Sequence, residues 1–246
     1  MERNNRKVAL ITGAAGGIGG AVANRLADEG FTTIINYSGD AAAAEALAQG
    51  IEQQGGRAVT VEADVADAAA VRAMFSSAEA AFGGVDILVN GAGVMGFSAI
   101  AETDDECFDR QVAVNLKGSF NTLREAAARL RDGGRIVNIS SSTVGLLQPG
   151  YGVYAATKAA VEVLTSVLAK ELRGRNITVN AIAPCPMATD PCLNGRSAAT
   201  LERMAKLCPL ERLGRPEDIA AAVAFLAGPD GAFVNGQTLR ANGGMV

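Results

Sequence analysis

The sequence predicts a doubly wound α/β fold, a parallel sheet with crossover helices on both faces. Short apolar runs alternate with segments of helical period along the chain, the first run leads through a glycine turn into a helix, and 246 residues with no internal linker or repeat make one domain spanning 1–246. Val8 to Thr12 is the apolar run expected of a strand buried on both faces, and Ile18, Val22 and Leu26 then recur at helical spacing. Thr33 to Asn36 reads as a second strand, Ala41 to Gln54 as an alanine-rich helix, and Ala58 to Ala63 as a third strand. Asp67 caps a helix to about Phe82 that Gly83 and Gly84 stop, and Val85 to Val89 is strand four. One long helix is expected over about Asp105 to Leu130, a strand over Arg135 to Ile139, a helix from Tyr154 to about Leu172 and a strand over Ile177 to Ile182. Pro216 marks the first turn of a helix to about Leu226, and Gln237 to Arg240 is a last short strand. The irregular stretch Pro184 to Pro209 holds four of the seven prolines and reads as a lid over a site at the carboxyl ends of the strands.

Composition narrows the chemistry. With no histidine, a His-centred triad, a His-ligated zinc site and haem attachment are all excluded, and no metal site is expected. The 22 basic and 26 acidic residues give a net charge of -4 with no basic stripe, which argues against nucleic acid as a ligand. Cys107, Cys185, Cys192 and Cys208 lack C-x-x-C spacing and read as reduced thiols of a cytoplasmic protein. The uncharged stretch Val8 to Asn24 is too polar and too rich in glycine to span a bilayer, so neither secretion nor membrane insertion is expected.

Thr12 to Gly19 reads TGAAGGIG. Gly13, Gly17 and Gly19 allow a tight turn after the strand and a close approach of backbone to a pyrophosphate, with the amides of the following helix facing its charge. No G-K-[ST] follows, so the turn is not that of a P-loop NTPase. Asp64 after strand three can contact an adenine amino group, and Asn90-Gly91-Ala92-Gly93 after strand four lets a flat ring lie against the backbone. Strand two ends Asn36-Tyr37-Ser38 without an acidic residue to grip a ribose 2′-hydroxyl. Asn36 and Ser38 offer hydrogen bonds to a 2′-phosphate, although no Arg in this loop supplies a bidentate clamp; the balance favours NADP over NAD.

After strand five comes Ser140-Ser141-Ser142-Thr143-Val144-Gly145, and then Tyr154-Ala155-Ala156-Thr157-Lys158. Tyr154 and Lys158 are four apart on one helix face, which sets the ammonium near the phenol. A nearby positive charge favours the ionised phenol and brings it toward neutral pH, giving a proton donor without histidine.

These motifs, with Asn115 in VNLKG, Pro184 to Thr189 and the closing VNGQTLRANGG, resemble the short-chain dehydrogenase/reductase family from about Lys7 to Gly244, in style its 3-oxoacyl-acyl carrier protein reductase-like branch. The resemblance implies a Rossmann-type fold and an oxidoreductase that moves hydride between NADPH and a carbonyl or secondary alcohol. Matched onto this sequence, Tyr154 is the catalytic acid-base, Lys158 binds the nicotinamide ribose and lowers the phenol's pKa, and Asn115 holds a water of a proton relay. For the carbonyl-orienting serine, the spacing to Gly145 selects Ser142 and the distance back from Tyr154 selects Ser141; Ser142 is favoured on its local motif. The resemblance also assigns Gly13, Gly17, Ile18 and Gly19 to the diphosphate, Asn36, Tyr37 and Ser38 to the adenosine ribose, Asp64 and Val65 to adenine, Asn90, Ala92 and Gly93 to the middle of the cofactor, and Pro184, Met187 and Thr189 to the nicotinamide.

Three positions depart from the family pattern. Gly91 stands where the family usually has Asn, Cys185 where it has Gly, and Gly16 where many NADP-dependent members carry a basic residue. Met95, Phe97, Leu146, Leu147, Tyr151, Met187, Cys192 and Leu193 offer an apolar wall for a medium-sized carbonyl, and Arg196 and Arg203 a weak basic patch for an acyl carrier. The leading substrate expectation is therefore a 3-oxoacyl thioester or related ketone. A general carbonyl reductase or an alcohol or sugar dehydrogenase is the alternative, and a catalytically idle dinucleotide-binding scaffold is the alternative of another class. The resemblance further implies a homotetramer, or a dimer, built through the helices at Asp105 to Leu130 and Tyr154 to Leu172 and through the last strand.

Overall fold

A computed structural model describes residues 6–189 and 197–246. Among them seven strands form one wholly parallel sheet in the order β3-β2-β1-β4-β5-β6-β7. The strands are β1 (Val8–Thr12), β2 (Thr32–Tyr37), β3 (Arg57–Glu62), β4 (Ile87–Asn90), β5 (Arg135–Ile139), β6 (Thr178–Ile182) and β7 (Thr238–Leu239). All five residues of β1, β5 and β6 are buried, as expected of strands covered on both faces, and the polar Arg135, Asn138, Thr178 and Asn180 are buried with their apolar neighbours. Helices α1 (Gly17–Asp28), α2 (Ala41–Gln53) and, late in the chain, Pro216–Ala227 bury Val22, Leu26, Ile51, Ile219 and Val223 in the core on one face. On the other face lie α3 (Ala68–Phe82), α4 (Asp105–Gln111), α5 (Ser119–Arg129) and α7 (Gly152–Glu171), which follows the one-turn α6 (Thr143–Leu146). The helix Ala198–Lys206 is α8, and Pro216–Ala227 is α9, with Pro216 at its start as its missing N–H allows.

The predicted caps form. Asp67 accepts from Ala69 N at 2.7 Å to open α3, and Gly83 closes it in the left-handed conformation. The single helix expected over Asp105 to Leu130 is instead interrupted by a π-helical stretch, Val112–Gly118, between α4 and α5. Periodicity cannot show this, because a π stretch inserts its extra residue without a proline or a polar break. β7 is shorter than expected because only Thr238 and Leu239 keep register with β6.

The sheet order reverses between β1 and β4, whose ends meet in the pair Thr12↔Asn90. At this point neighbouring connections leave toward opposite faces and open a crevice. The Thr12 hydroxyl accepts from the amides of Gly91 and Ala92 at 3.1 and 3.2 Å, so a buried side chain at the tip of β1 fixes the loop leaving β4. A buried polar chain fixes the next strand end. Thr122 Oγ1 donates to Asn90 Oδ1 at 2.7 Å, Asn90 Nδ2 to Asn138 Oδ1 at 2.8 Å, and Asn138 Nδ2 to Thr165 Oγ1 at 2.8 Å. Each member has a partner, so the chain is worth more as a register lock than its polarity would suggest in so apolar a sheet.

Candidate active site

The crevice begins at Gly13, in the left-handed region at φ 65°; a Cβ there would stand 2.7 Å from Ala92 Cα. The turn can therefore close only with glycine at this position. Helix α1 starts without a side-chain cap and with no acidic residue in its first turn, which leaves its first amides to meet an anion. Gly17 faces Thr189, whose Cγ2 would lie 3.9 Å from a Cβ on that glycine, so the glycine turn and the Pro184–Thr189 segment form opposite banks. The uncapped helix start and the cradle that a single Cβ would fill fit the diphosphate of a dinucleotide. Ile18, Pro184, Met187 and Thr189 line the continuing cavity, whereas Gly19 is buried against Gly13 O and supports the turn from beneath.

Not every residue expected at the cofactor is free to reach it. Asn36 is buried and its Nδ2 faces the carbonyls of Val61 and Ala63 at 3.3 and 3.0 Å, so it ties β2 to β3 and offers no hydrogen to a 2′-phosphate. That correction follows from its place on the buried strand; only Tyr37 and Ser38 emerge at the tip. Asp64 is exposed and accepts from Ala66 N at 2.9 Å in a local turn, while Val65 is buried. Asn90 spends its side chain on the polar chain above and can offer only backbone, beside Ala92 and Gly93.

The side chains expected to be catalytic come from the loop between β5 and α6, from α7 and from the π stretch. Lys158 is buried, and its Nζ donates to Ile139 O at 2.8 Å and sits 5.8 Å from the Tyr154 ring centroid. Burial lowers its pKa to about 8. The Tyr154 phenol is pushed up by burial and, to a lesser degree, by Tyr151, while a hydrogen bond with Ser141 works the other way. The expected lowering by Lys158 is absent from this balance. The ammonium lies over the ring, 5.8 Å from its centroid, and makes its hydrogen bond to Ile139 O.

The two candidate serines, both in the cavity wall, have different partners. Ser142 is buried and its Oγ accepts from Asn242 Nδ2 at 3.1 Å, a partner 100 positions away that local spacing could not reveal. Ser141 is the hydroxyl beside Tyr154. Its oxygen accepts from Thr143 N at 3.2 Å and Thr143 Oγ1 at 3.0 Å, which leaves its own hydrogen for the Tyr154 oxygen. Asn115 Nδ2 donates to Val94 O at 2.8 Å and Thr157 Oγ1 at 3.2 Å, and its Oδ1 accepts from Val94 N at 2.8 Å. Both amide hydrogens are thus committed, and the side chain clamps the loop after β4 to α7. Gly93 sits where a Cβ would come within 3.3 Å of Asn115 Oδ1 and 3.4 Å of Lys158 Nζ, which places this clamp directly behind the lysine.

These groups open onto a cavity of about 690 Å³. Its polar groups gather at the Ser141–Tyr154 end, and Met95, Phe97, Leu146, Tyr151, Met204, Leu207 and Met245 form much of the rest. Leu147 turns away and is exposed. Cys185 lines the cavity, and burial pushes its thiol up, which suits an inert wall. Cys192, Leu193 and Arg196 lie outside the described residues. Among the described residues no cluster of His, Cys, Asp or Glu could hold a metal.

Comparison with known proteins decides the family. The sequence model described as Enoyl-(Acyl carrier protein) reductase matches residues 13–246. The chain belongs to the short-chain dehydrogenase/reductase family. It is 43% identical over 98% of its length to the NADPH-dependent aldehyde reductase-like protein, chloroplastic, of Arabidopsis thaliana, covering 94% of that protein. It is 39% identical over 97% of its length to the 3-oxoacyl-(acyl-carrier-protein) reductase FabG of Staphylococcus aureus, covering 98% of that chain. A short chain dehydrogenase from Burkholderia cenocepacia J2315, solved in complex with NADP, superposes with a TM-score of 0.92 at 37% identity, over 99% of both chains. Among the described residues one helix of this short-chain dehydrogenase/reductase, Gly152–Glu171, is long and apolar enough to cross a membrane, and it is α7, which carries Tyr154 and Lys158 and packs on β6 and β5.

Proposed function

We propose that this short-chain dehydrogenase/reductase is an NADPH-dependent reductase of medium-sized apolar aldehydes and ketones. The observation that carries the reading is the meeting of Ser141 and Tyr154 in the wall of a largely apolar cavity that Ile18 of the glycine turn also lines, with Lys158 5.8 Å from the Tyr154 ring. Bound NADPH would supply the hydride. Gly13, Gly17, Ile18 and the first amides of α1 would hold its diphosphate, Tyr37 and Ser38 its adenosine ribose, Asp64 and Val65 its adenine, and Thr189 its carboxamide. The Ser141 hydroxyl donates a hydrogen bond to the substrate oxygen, where negative charge grows as the carbonyl carbon is reduced. Tyr154 gives its proton to that oxygen, and because burial favours the neutral phenol, the acid form dominates at neutral pH. Lys158 holds the nicotinamide ribose, and Asn115 positions the loop over which the ring lies.

NADP is supported by the absence of an acidic residue at the tip of β2 and by relatives and a solved neighbour that use it. Reduction of 3-oxoacyl thioesters is the second reading, favoured by the similarity to the 3-oxoacyl-(acyl-carrier-protein) reductase. A cytoplasmic homotetramer is the expected state, with Phe120, Val163 and Val167 exposed on α5 and α7 as a face for a second copy. The deciding assay is oxidation of NADPH, and separately NADH, with aryl aldehydes, diketones, acetoacetyl thioesters and sugars, using Tyr154→Phe as control. NADPH-dependent turnover of the aldehydes, lost by at least a hundredfold in the control, is expected. Preference for NADH, or sugar turnover with aldehydes inert, refutes the proposal; thioester preference moves the substrate to the second reading.

A further inference from the structure

Asn242 is nearly inaccessible, at 1% exposure, and stands where three segments meet. Its Nδ2 donates to Ser142 Oγ at 3.1 Å, in the loop that carries Ser141. Its Oδ1 accepts from Gly244 N at 3.1 Å and Met245 N at 3.2 Å. Its backbone oxygen accepts from the Cys208 thiol at 2.9 Å, just beyond α8. Gly243 makes the meeting possible. It sits at φ 63°, and a Cβ there would fall 2.2 Å from Cys208 Sγ, so the segment can fold back only with glycine at this place.

The folded-back segment has two side chains with somewhere to go. Val246 packs on Gly145, with Cγ2 3.1 Å from where a Cβ would be, and so lies on α6 behind the serine loop. Met245 lines the cavity, as Met95 and Phe97 do. A single amide thus holds both the residue next to the carbonyl-orienting serine and a long, flexible apolar side chain of the cavity. Met is the residue type whose rotamers decide pocket size without polar consequence.

We propose that Asn242 is a positioning residue that holds Met245 in the cavity, and that Met245 sets the upper size of carbonyl the site accepts. The proposal rests on the reading of this cavity as a carbonyl site, and binding separates the two. The probes are benzaldehyde and 2-naphthaldehyde, used both as substrates with NADPH and as ligands of the protein alone in calorimetric titration. Met245→Ala raises the 2-naphthaldehyde to benzaldehyde ratio of kcat/KM by about tenfold, the scale for one side-chain truncation in an apolar pocket, and shifts the binding ratio in the same direction. Asn242→Ala shifts both ratios the same way, because Met245 is no longer held, and the double variant shows no more shift than Met245→Ala alone. The isosteric Asn242→Asp keeps the acceptor for the Gly244 and Met245 amides and preserves the wild-type ratios. Ratios within twofold of wild type in Met245→Ala, or a double variant whose shift is the product of the two singles, overturn the proposal. Should Asn242→Ala fail to fold, Met245→Ala with Met245→Leu as its volume control still decides it. A wild-type protein that reduces neither aldehyde refutes the carbonyl reading, while the two binding ratios continue to test Met245.

Discussion

Lys158 offers a prediction that does not depend on turnover. Burial lowers its pKa from 10.5 to about 8, and among the described residues no carboxylate pairs with it while its Nζ donates to Ile139 O. The charged form is therefore less stable in the folded protein than in the unfolded chain. Below about pH 8 both states carry the proton and the folded state bears the whole penalty; above 10.5 both are neutral and none remains. Between those values the unfolded chain binds more protons, so stability rises with pH. Each tenfold in proton affinity is ~1.4 kcal/mol, which makes the full rise roughly 3 kcal/mol, most of it gained by pH 10. Cys185 works in the opposite sense, because burial raises its thiol and the unfolded chain loses that proton first, so stability due to it falls above pH 9. Comparing wild type with Lys158→Met cancels that term. The variant also strips Ile139 O of its lysine donor, but this loss is independent of pH and drops out of the slope. The measurement is urea unfolding at intervals from pH 7.5 to 10 for both proteins. The gap between them should narrow in favour of wild type by about 2–3 kcal/mol across that range. A gap that is flat, or that moves the other way, would show that the lysine is solvated or paired in solution and would refute the reasoning.

The serine assignment gives a second test: Ser141→Ala should lower kcat by about 10²–10³-fold with the NADPH Kd unchanged, because it removes a donor aimed at developing charge. Ser142→Ala should lose far less rate while unfolding at lower urea, since it leaves the buried Asn242 amide with one partner fewer; equal rate losses in steady-state assays would contradict the assignment. Gly13→Ala combines a positive φ with a Cβ 2.7 Å from Ala92 Cα, so it should destabilise by ~1–3 kcal/mol and weaken NADPH binding at least tenfold. Fluorescence titration that finds wild-type affinity would show the turn to be adaptable.

The order of elements was legible because strands buried on both faces are mostly apolar, and RIVNI over Arg135–Ile139 or TVNAI over Thr178–Ile182 leaves little else to read. The glycine turn and the Tyr154–Lys158 pair were legible because their geometry is local, one turn of helix or one tight bend. What escaped is what depends on distant partners. Asn36 looked like a ligand at a strand tip, but strand alternation points its amide at the next strand. The clamp made by Asn115 escaped as well, because its partners Val94 and Thr157 lie 21 and 42 positions away. Asn138 carried a signal that could have been used, a single amide amid buried aliphatics, directly in register with Asn90.

The three consecutive serines after β5 show why spacing alone could not choose among them. A chain leaving a strand turns its side chains in different directions from one residue to the next, and here each hydroxyl meets a different element. Ser140 donates to Glu162 on α7 at 2.6 Å, Ser141 faces Tyr154, and Ser142 meets Asn242 from beyond β7. Ser140 gives its hydrogen to Glu162 and Ser142 accepts from Asn242, so both tie the loop to the elements on either side. Ser141 is held as an acceptor through Thr143 and keeps its hydrogen toward Tyr154. A donor that must stabilise charge without reorganising needs to be held in this way. The same division runs through the site as a whole: Asn90, Asn115 and Asn242 spend their amides on fixing loops, so that Ser141, Tyr154 and Lys158 can keep a reacting end, and an enzyme without histidine is assembled from positions its asparagines hold still.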